Sequence, residues 1–178
     1  MAQKSSTSQS DSQGSLQWSL LEELFQPSIG PSSSHTRGPA RLGKVAHDAL
    51  QEAPRQAKIT LWNSLAQTGD GHGTKRAVIA GLLGREPFDP LVAEADDQYA
   101  RQHGLHLTWV TRLDPTAEPV MLEIEVVGQN RRVYLRGVSP GGGRIRVEEL
   151  EAHSRLPALQ PPAPIKIMTG GYDESGSI

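Results

Sequence analysis

The chain has no cysteine among its 178 residues. That excludes disulfides, and it excludes this chain as the sole thiolate donor for an iron–sulfur cluster or a cysteine-type zinc site. Aromatic residues make up only 4% and apolar residues 36%, so a core has to come from Leu, Val, Ile and Ala rather than from large rings. Neither sign of charge dominates: 18 Lys and Arg stand against 20 Asp and Glu. A formal charge of −2 gives no general attraction to nucleic acid or to an anionic membrane, so partners of both kinds are excluded as an expectation. No window approaches the roughly 20 consecutive apolar residues of a membrane span, and the first residues lack the apolar core of a secretory signal. A cytoplasmic location is the resulting expectation.

What is present is a sequence of helical and strand-like patterns separated by small residues. Residues 1–14 are rich in Ser and Gln without apolar period and read as a disordered tail, residues 15–157 as one domain, and residues 158–178 as a loose Pro/Gly-rich tail. Ser19 stands three residues before Glu22, the spacing of a capping box, and predicts a short helix ending near Pro27. A second helix is predicted just past His35, with Leu42, Val45, Ala46, Ala49 and Leu50 at helical spacing. The stretch AKITLWNSLA predicts a strand of about six residues, TKRAVIAGLLG a short buried helix closed by Gly84, and PLVAEADDQYARQHG a third amphipathic helix closed by Gly104. LHLTWVTRL predicts a strand, and alternation from Val120 to Val147 predicts a meander turning at Gly128–Asn130 and again at Ser139–Gly143. This order predicts an α+β fold, helices packed on a mostly antiparallel sheet with a C-terminal β-meander.

Three loops of small residues interrupt the pattern. The first, PSIGPSSSHT, offers hydroxyls at Ser32, Ser33, Ser34 and Thr36 beside the His35 imidazole, at the start of the second helix. A helix N-terminus with unpaired N–H groups suits a carboxylate or phosphate, but the same residues also serve a simple helix cap. The second, TGDGHGT, spaces Gly69, Gly71 and Gly73 around Asp70 and His72. It reads either as a solvated turn or as a frame that keeps an imidazole accessible for proton transfer, and its spacing is not that of a dinucleotide fingerprint. The third, VSPGGGR, carries more glycine than a hairpin requires, either for flexibility or for a close approach by another group. No role is assigned to His47, His103, His106 and His153, and Trp18, Trp62 and Trp109 read as packing residues.

Taken together and in order, IGPSSSHTRGPARLG, SLAQTGDGHGTKRAVIAGLLG and VSPGGGRIRV resemble the β chain or β domain of bacterial iron–sulfur-dependent L-serine dehydratase, over roughly residues 15–151. A related domain serves as the allosteric substrate-binding domain of some phosphoglycerate dehydrogenases. The first resemblance implies an L-serine ammonia-lyase yielding pyruvate and ammonia, with a [4Fe–4S] cluster held by the cysteines of an α subunit. In that chemistry an exposed iron polarises the substrate hydroxyl while a base removes the α-proton. It implies His72 and His35 as catalytic candidates and Ser32, Ser33, Ser34, Thr36, Gly71, Gly73 and Thr74 as substrate-binding candidates, with no metal ligand in this chain. It also implies a hetero- or homo-oligomer. The second resemblance implies a serine-binding regulatory module without a catalytic role. Several positions depart from the family pattern: Arg37 stands where a small residue is usual, Gln67, Asp70 and Lys75 alter the charges around His72, and Pro140 removes a backbone donor from the third loop.

Overall fold

Leu42, Ala46 and Leu50 fall on one side of a helix and are fully buried there. They belong to α1 (Arg37–Leu50), which begins directly after His35 as expected and carries Pro39 in its first turn, where no helical N–H is lost. The computed structural model describes residues 32–154. The helix expected from Ser19 and both terminal tails lie outside the described residues.

β1 (Gln56–Trp62) is the expected strand, at seven residues close to the expected length. Asn63, with φ at 47°, turns the chain into α2 (Asn63–Thr68), a short helix that the strand pattern had not suggested. α3 (Thr74–Leu82) is the expected buried helix, followed by Gly84 in the left-handed region. The single helix expected from Pro90 to Gly104 is instead two pieces, a 3-10 turn (Pro90–Ala93) and α4 (Asp97–Gln102). Two aspartates explain the break. Asp89 accepts a hydrogen bond from the Leu91 N–H at 2.9 Å and Asp96 from the Tyr99 N–H at 2.8 Å, so each starts its own element.

The sheet follows as β2 (His106–Arg112), β3 (Met121–Val127), β4 (Arg131–Gly141) and β5 (Arg144–Ser154), in the spatial order β2-β1-β3-β4-β5. Only β1 and β2 are parallel; the other three pairings are antiparallel, and β3–β4–β5 is the expected meander. The first turn falls at Gly128–Asn130, where Glu52 at the exit of α1 accepts hydrogen bonds from the N–H groups of Asn130 and Arg131 at 2.8 Å each. The second turn is tighter than expected, because β4 runs on to Gly141. Pro140, which has no N–H to donate, sits in the break of register between Val138 and Gly141.

Alternation along the strands sorts the two faces. Ile59, Ile124 and Leu135 lie opposite one another, as do Ala57, Val126 and Val133, and all are buried under the helices. The opposite face carries charged pairs such as Lys58–Glu125 and Arg136–Glu123. α1 lies across β3, β4 and β5 and packs against α3. This brings the first turn of α1, the end of β1 and the loop before α3 to one end of the domain. Among the described residues, no helix is long and apolar enough to cross a membrane.

Candidate functional site

The hydroxyls of the first loop do not cap α1. Thr36, the residue at the cap position, makes no side-chain hydrogen bond to the helix N–H groups; its Oγ1 donates to the Ser32 carbonyl at 2.6 Å. Ser32 Oγ and Ser34 Oγ instead lie 3.1 and 3.0 Å from Nδ1 of His35 and 3.2 Å from each other. The other ring nitrogen, Nε2, shares a hydrogen bond with Ser64 Oγ at 3.0 Å. Both nitrogens of His35 are therefore held by hydroxyls of this chain. Ser33 contributes its carbonyl, which accepts from the Gly38 N–H at 3.1 Å.

The second loop is folded against the first. Thr74, fully buried at the head of α3, donates through Oγ1 to the His35 carbonyl at 2.7 Å. Gly73 precedes it with φ at 71°, a left-handed geometry that a side chain would strain, and this turn aims His72 back toward His35. The two imidazole centroids are 5.2 Å apart with the rings tilted by 39°. Nδ1 of His72 lies 3.2 Å from the Thr68 carbonyl. A carbonyl can only accept, so Nδ1 carries the proton and Nε2 of the neutral ring is left with its lone pair. Gly71, beside it, is exposed, with nothing nearer than 3.8 Å to a side chain placed there.

Partial burial, and then the neighbouring His72, hold the His35 imidazole below its ordinary pKa. The folded chain thus binds this proton less readily than the unfolded chain. Stability then rises with pH through the window just below the ordinary imidazole value and is lost as pH falls through it. Thermal unfolding of the wild type and of His35→Asn, compared at about pH 7.5 and about pH 5.5, should show the wild type losing more on acidification. Equal losses would contradict this assignment.

The third loop braces α1 rather than the histidines. Gly141, Gly142 and Gly143 all have positive φ, and a side chain on Gly143 would come within 2.5 Å of Arg37 Cδ. Arg37, at the position where a small residue was expected, is 6% exposed and lies along this loop, while Arg41 Nη1 donates to the Gly143 carbonyl at 2.8 Å. Gly143 therefore answers a close approach, whereas a side chain on Gly141 would meet nothing within 4 Å and one on Gly142 only Arg144 Nε at 3.9 Å. The altered charges of the second loop answer each other: Lys75 pairs with Asp70 at 2.7 Å and lies 5.5 Å from the Trp109 ring centre. A cleft of about 430 Å³ on that side is lined by Gly69, Asp70, Lys75, Arg76 and Arg101 among others, and takes in neither histidine.

Of the nine residues singled out in the sequence, the structure brings Ser32, Ser34, His35, His72, Gly73 and Thr74 into one cluster. The hydroxyls of Thr36 and Thr74 are each taken up by a backbone carbonyl. Two residues were not singled out: Ser64, on His35, and Thr68, under His72. Their signal was the polar pair Asn63–Ser64 directly after an apolar strand, a usual helix start.

The donor set does not fit an iron–sulfur cluster, since the sequence has no cysteine, and among the described residues no three His, Asp or Glu side chains group to hold a metal ion.

The fold is an α+β domain that sets two half-buried loop histidines side by side at helix starts. The sequence profile described as "Serine dehydratase beta chain" matches residues 20–108, half of the chain, and the chain belongs to that family. It is 36% identical over 132 residues to a probable L-serine dehydratase, beta chain, of Bacillus subtilis, an alignment covering 74% of this chain and 60% of that one. It is 33% identical to the L-serine dehydratase, beta chain, of Peptoniphilus asaccharolyticus, over 73% of this chain and 59% of that protein. An L-serine dehydratase of Streptomyces coelicolor is 41% identical over 81 residues, 18% of its length. The chain thus spans about three fifths of the length of the two β-chain relatives.

Proposed function

We propose that this chain is the β subunit of an L-serine ammonia-lyase, which eliminates water from L-serine to give pyruvate and ammonia in concert with an α subunit. The observation that carries the reading is the His72 ring, with Nδ1 on the Thr68 carbonyl and Nε2 unpartnered among the described residues, 5.2 Å from His35 in a chain of this family.

In this reading Nε2 of His72 takes the α-proton, and the Thr68 carbonyl stabilises the imidazolium that forms. His35 holds its hydroxyl partners in place and, with burial and the neighbouring His72 lowering its pKa, takes up a proton less readily than an ordinary imidazole. Ser32, Ser33 and Ser34, at the N-terminal side of the 14-residue α1, contact the substrate carboxylate, and the Gly71 and Gly73 backbone lets substrate approach His72. Thr36 and Thr74 act by fixing the two loops. In this reading the [4Fe–4S] cluster that the resemblance implies is held by the α subunit, and the absence of cysteine from this chain agrees with that.

The test is reconstitution. This chain, combined anaerobically with its α partner, should produce pyruvate from L-serine, and neither chain should do so alone; full activity of the α partner by itself would overturn the proposal. Calorimetry separates the regulatory alternative. L-serine should bind the complex and bind this chain alone weakly, whereas tight binding by the isolated chain would assign it to sensing.

A further inference from the structure

The helix that the strand pattern concealed is the element that touches both histidines. At its start, Ser64 Oγ meets Nε2 of His35 at 3.0 Å. One turn on, Thr68 Oγ1 donates to the Ser64 carbonyl at 2.7 Å, and the Thr68 carbonyl accepts from both the backbone N–H of His72 at 3.0 Å and its Nδ1 at 3.2 Å. α2 has only six residues, too few for a helix to hold its place by its own hydrogen bonds. Its N-cap position, Trp62, supplies no side-chain hydrogen bond.

What holds it is Asn63. The side-chain amide donates to the carbonyls of Asp114, Ala117 and Glu118 at 2.8, 3.1 and 3.2 Å, and its Oδ1 accepts from the Asp114 N–H at 2.8 Å. The Ser64 N–H donates to the Pro119 carbonyl at 2.9 Å, so two consecutive residues fasten the helix start to the segment joining β2 and β3. Asn63 does this from φ 47°, a left-handed geometry that Asn tolerates better than other side-chain-bearing residues. Asp114 in turn accepts from the N–H and hydroxyl of Thr116 at 2.8 and 2.7 Å, which closes the segment on itself and makes it a firm anchor.

We propose that Asn63 and Ser64 are positioning residues that set the geometry of His35 and His72 with respect to one another, using α2 as the spacer and the β2–β3 segment as the fixed point. Neither residue touches substrate in the function proposed above. The inference rests on that function only for its kinetic consequence; its structural consequence is read on the full-length chain directly.

Three substitutions separate the parts. Ser64→Ala removes the hydroxyl on His35 alone, Ser64→Thr restores a hydroxyl, and Asn63→Gly keeps the left-handed backbone while removing the amide clamp. In ring-nitrogen NMR spectra of the full chain, Ser64→Ala should shift the His35 resonances with little change at His72, and Ser64→Thr should restore them. Asn63→Gly should shift both histidines. In the complex with the α partner, Asn63→Gly should lower kcat by about 10- to 100-fold with little change in KM, as expected when reacting groups are misplaced by about 1 Å. Where Asn63→Gly yields too little folded protein, Asn63→Asp, which keeps the shape and loses the amide donors, carries the same expectation. Histidine spectra unchanged in Asn63→Gly or Asn63→Asp would overturn the proposal. A complex inactive even with the wild-type chain, alongside shifted spectra in the variants, would instead overturn the assigned function and leave the positioning role standing.

Discussion

Under the proposed function, His72→Ala in the complex of this chain with an α partner is expected to lower kcat for L-serine by about 10²–10⁴-fold, the range for loss of a positioned general base. Little change is expected in the thermal unfolding of the chain. The imidazole is half-exposed, and its side-chain hydrogen bond, to the Thr68 carbonyl, is one that carbonyl also receives from the His72 backbone N–H. KM should change by much less than kcat, because the carboxylate is assigned to the serine loop. His35→Ala should differ in kind. It releases Ser32, Ser34 and Ser64 together, so it should disturb substrate affinity and stability as well as turnover. Identical kinetic profiles for the two variants would show that the histidines do not divide the work as their hydrogen bonds indicate.

The second large effect is on stability and runs against helix propensity. Gly81 lies inside α3, and replacing a helix-interior glycine with alanine ordinarily gains about 1 kcal/mol. Here an added Cβ would stand 2.1 Å from the Ala40 carbonyl oxygen and 2.8 Å from the Lys44 nitrogen, both backbone atoms of α1. Gly43 makes the reciprocal approach, its Cβ position lying 2.7 Å from the Val78 carbonyl oxygen. Backbone cannot swing aside as a flexible side chain can, so the helices must part. That opens the layer in which Leu42, Ala46, Ala77, Val78 and Leu82 are fully buried. Gly81→Ala should therefore cost about 3 kcal/mol, seen as a lower midpoint in chemical denaturation at unchanged slope. Gly71→Ala, where the nearest atom is 3.8 Å away, should change stability by no more than about 0.5 kcal/mol. A neutral or stabilising Gly81→Ala would show that the two helices are not as close as the structure places them. The effect also reaches the site, because α3 carries Thr74 and through it the His35 carbonyl.

The elements with strong periodicity were legible. α1, α3 and the meander follow from apolar spacing, and the expected turn at Gly128–Asn130 lies where Glu52 ties the loop to α1. Two errors share one cause, local side-chain hydrogen bonds that compete with the apolar pattern. Asp89 and Asp96 each start a new element inside what reads as one helix. Asn63, through contacts with residues 114–118, ends β1 and begins α2, and a partner some 50 positions away leaves no trace in local spacing. The loop residues of the site were legible as types at fixed spacing, but not as a geometry. Nothing in the order of Ser32, Ser34 and His35 shows that the hydroxyls serve the imidazole rather than the helix cap.

By itself the sequence determined that this chain has no cysteine to supply a thiolate, that it folds as helices on a mostly antiparallel sheet, and that serines, threonines and histidines gather in two loops just ahead of helices. Those follow from composition and from the fixed periods of helix and strand, which are properties of the chain alone. The tertiary structure decided which nitrogen of His72 is left open, that Arg37 lies buried along the glycine loop, and that Ser64 stands on His35. Each of these depends on groups brought within about 3 Å by packing from distant parts of the chain, and at that range hydrogen bonding, not sequence proximity, assigns a side chain its role.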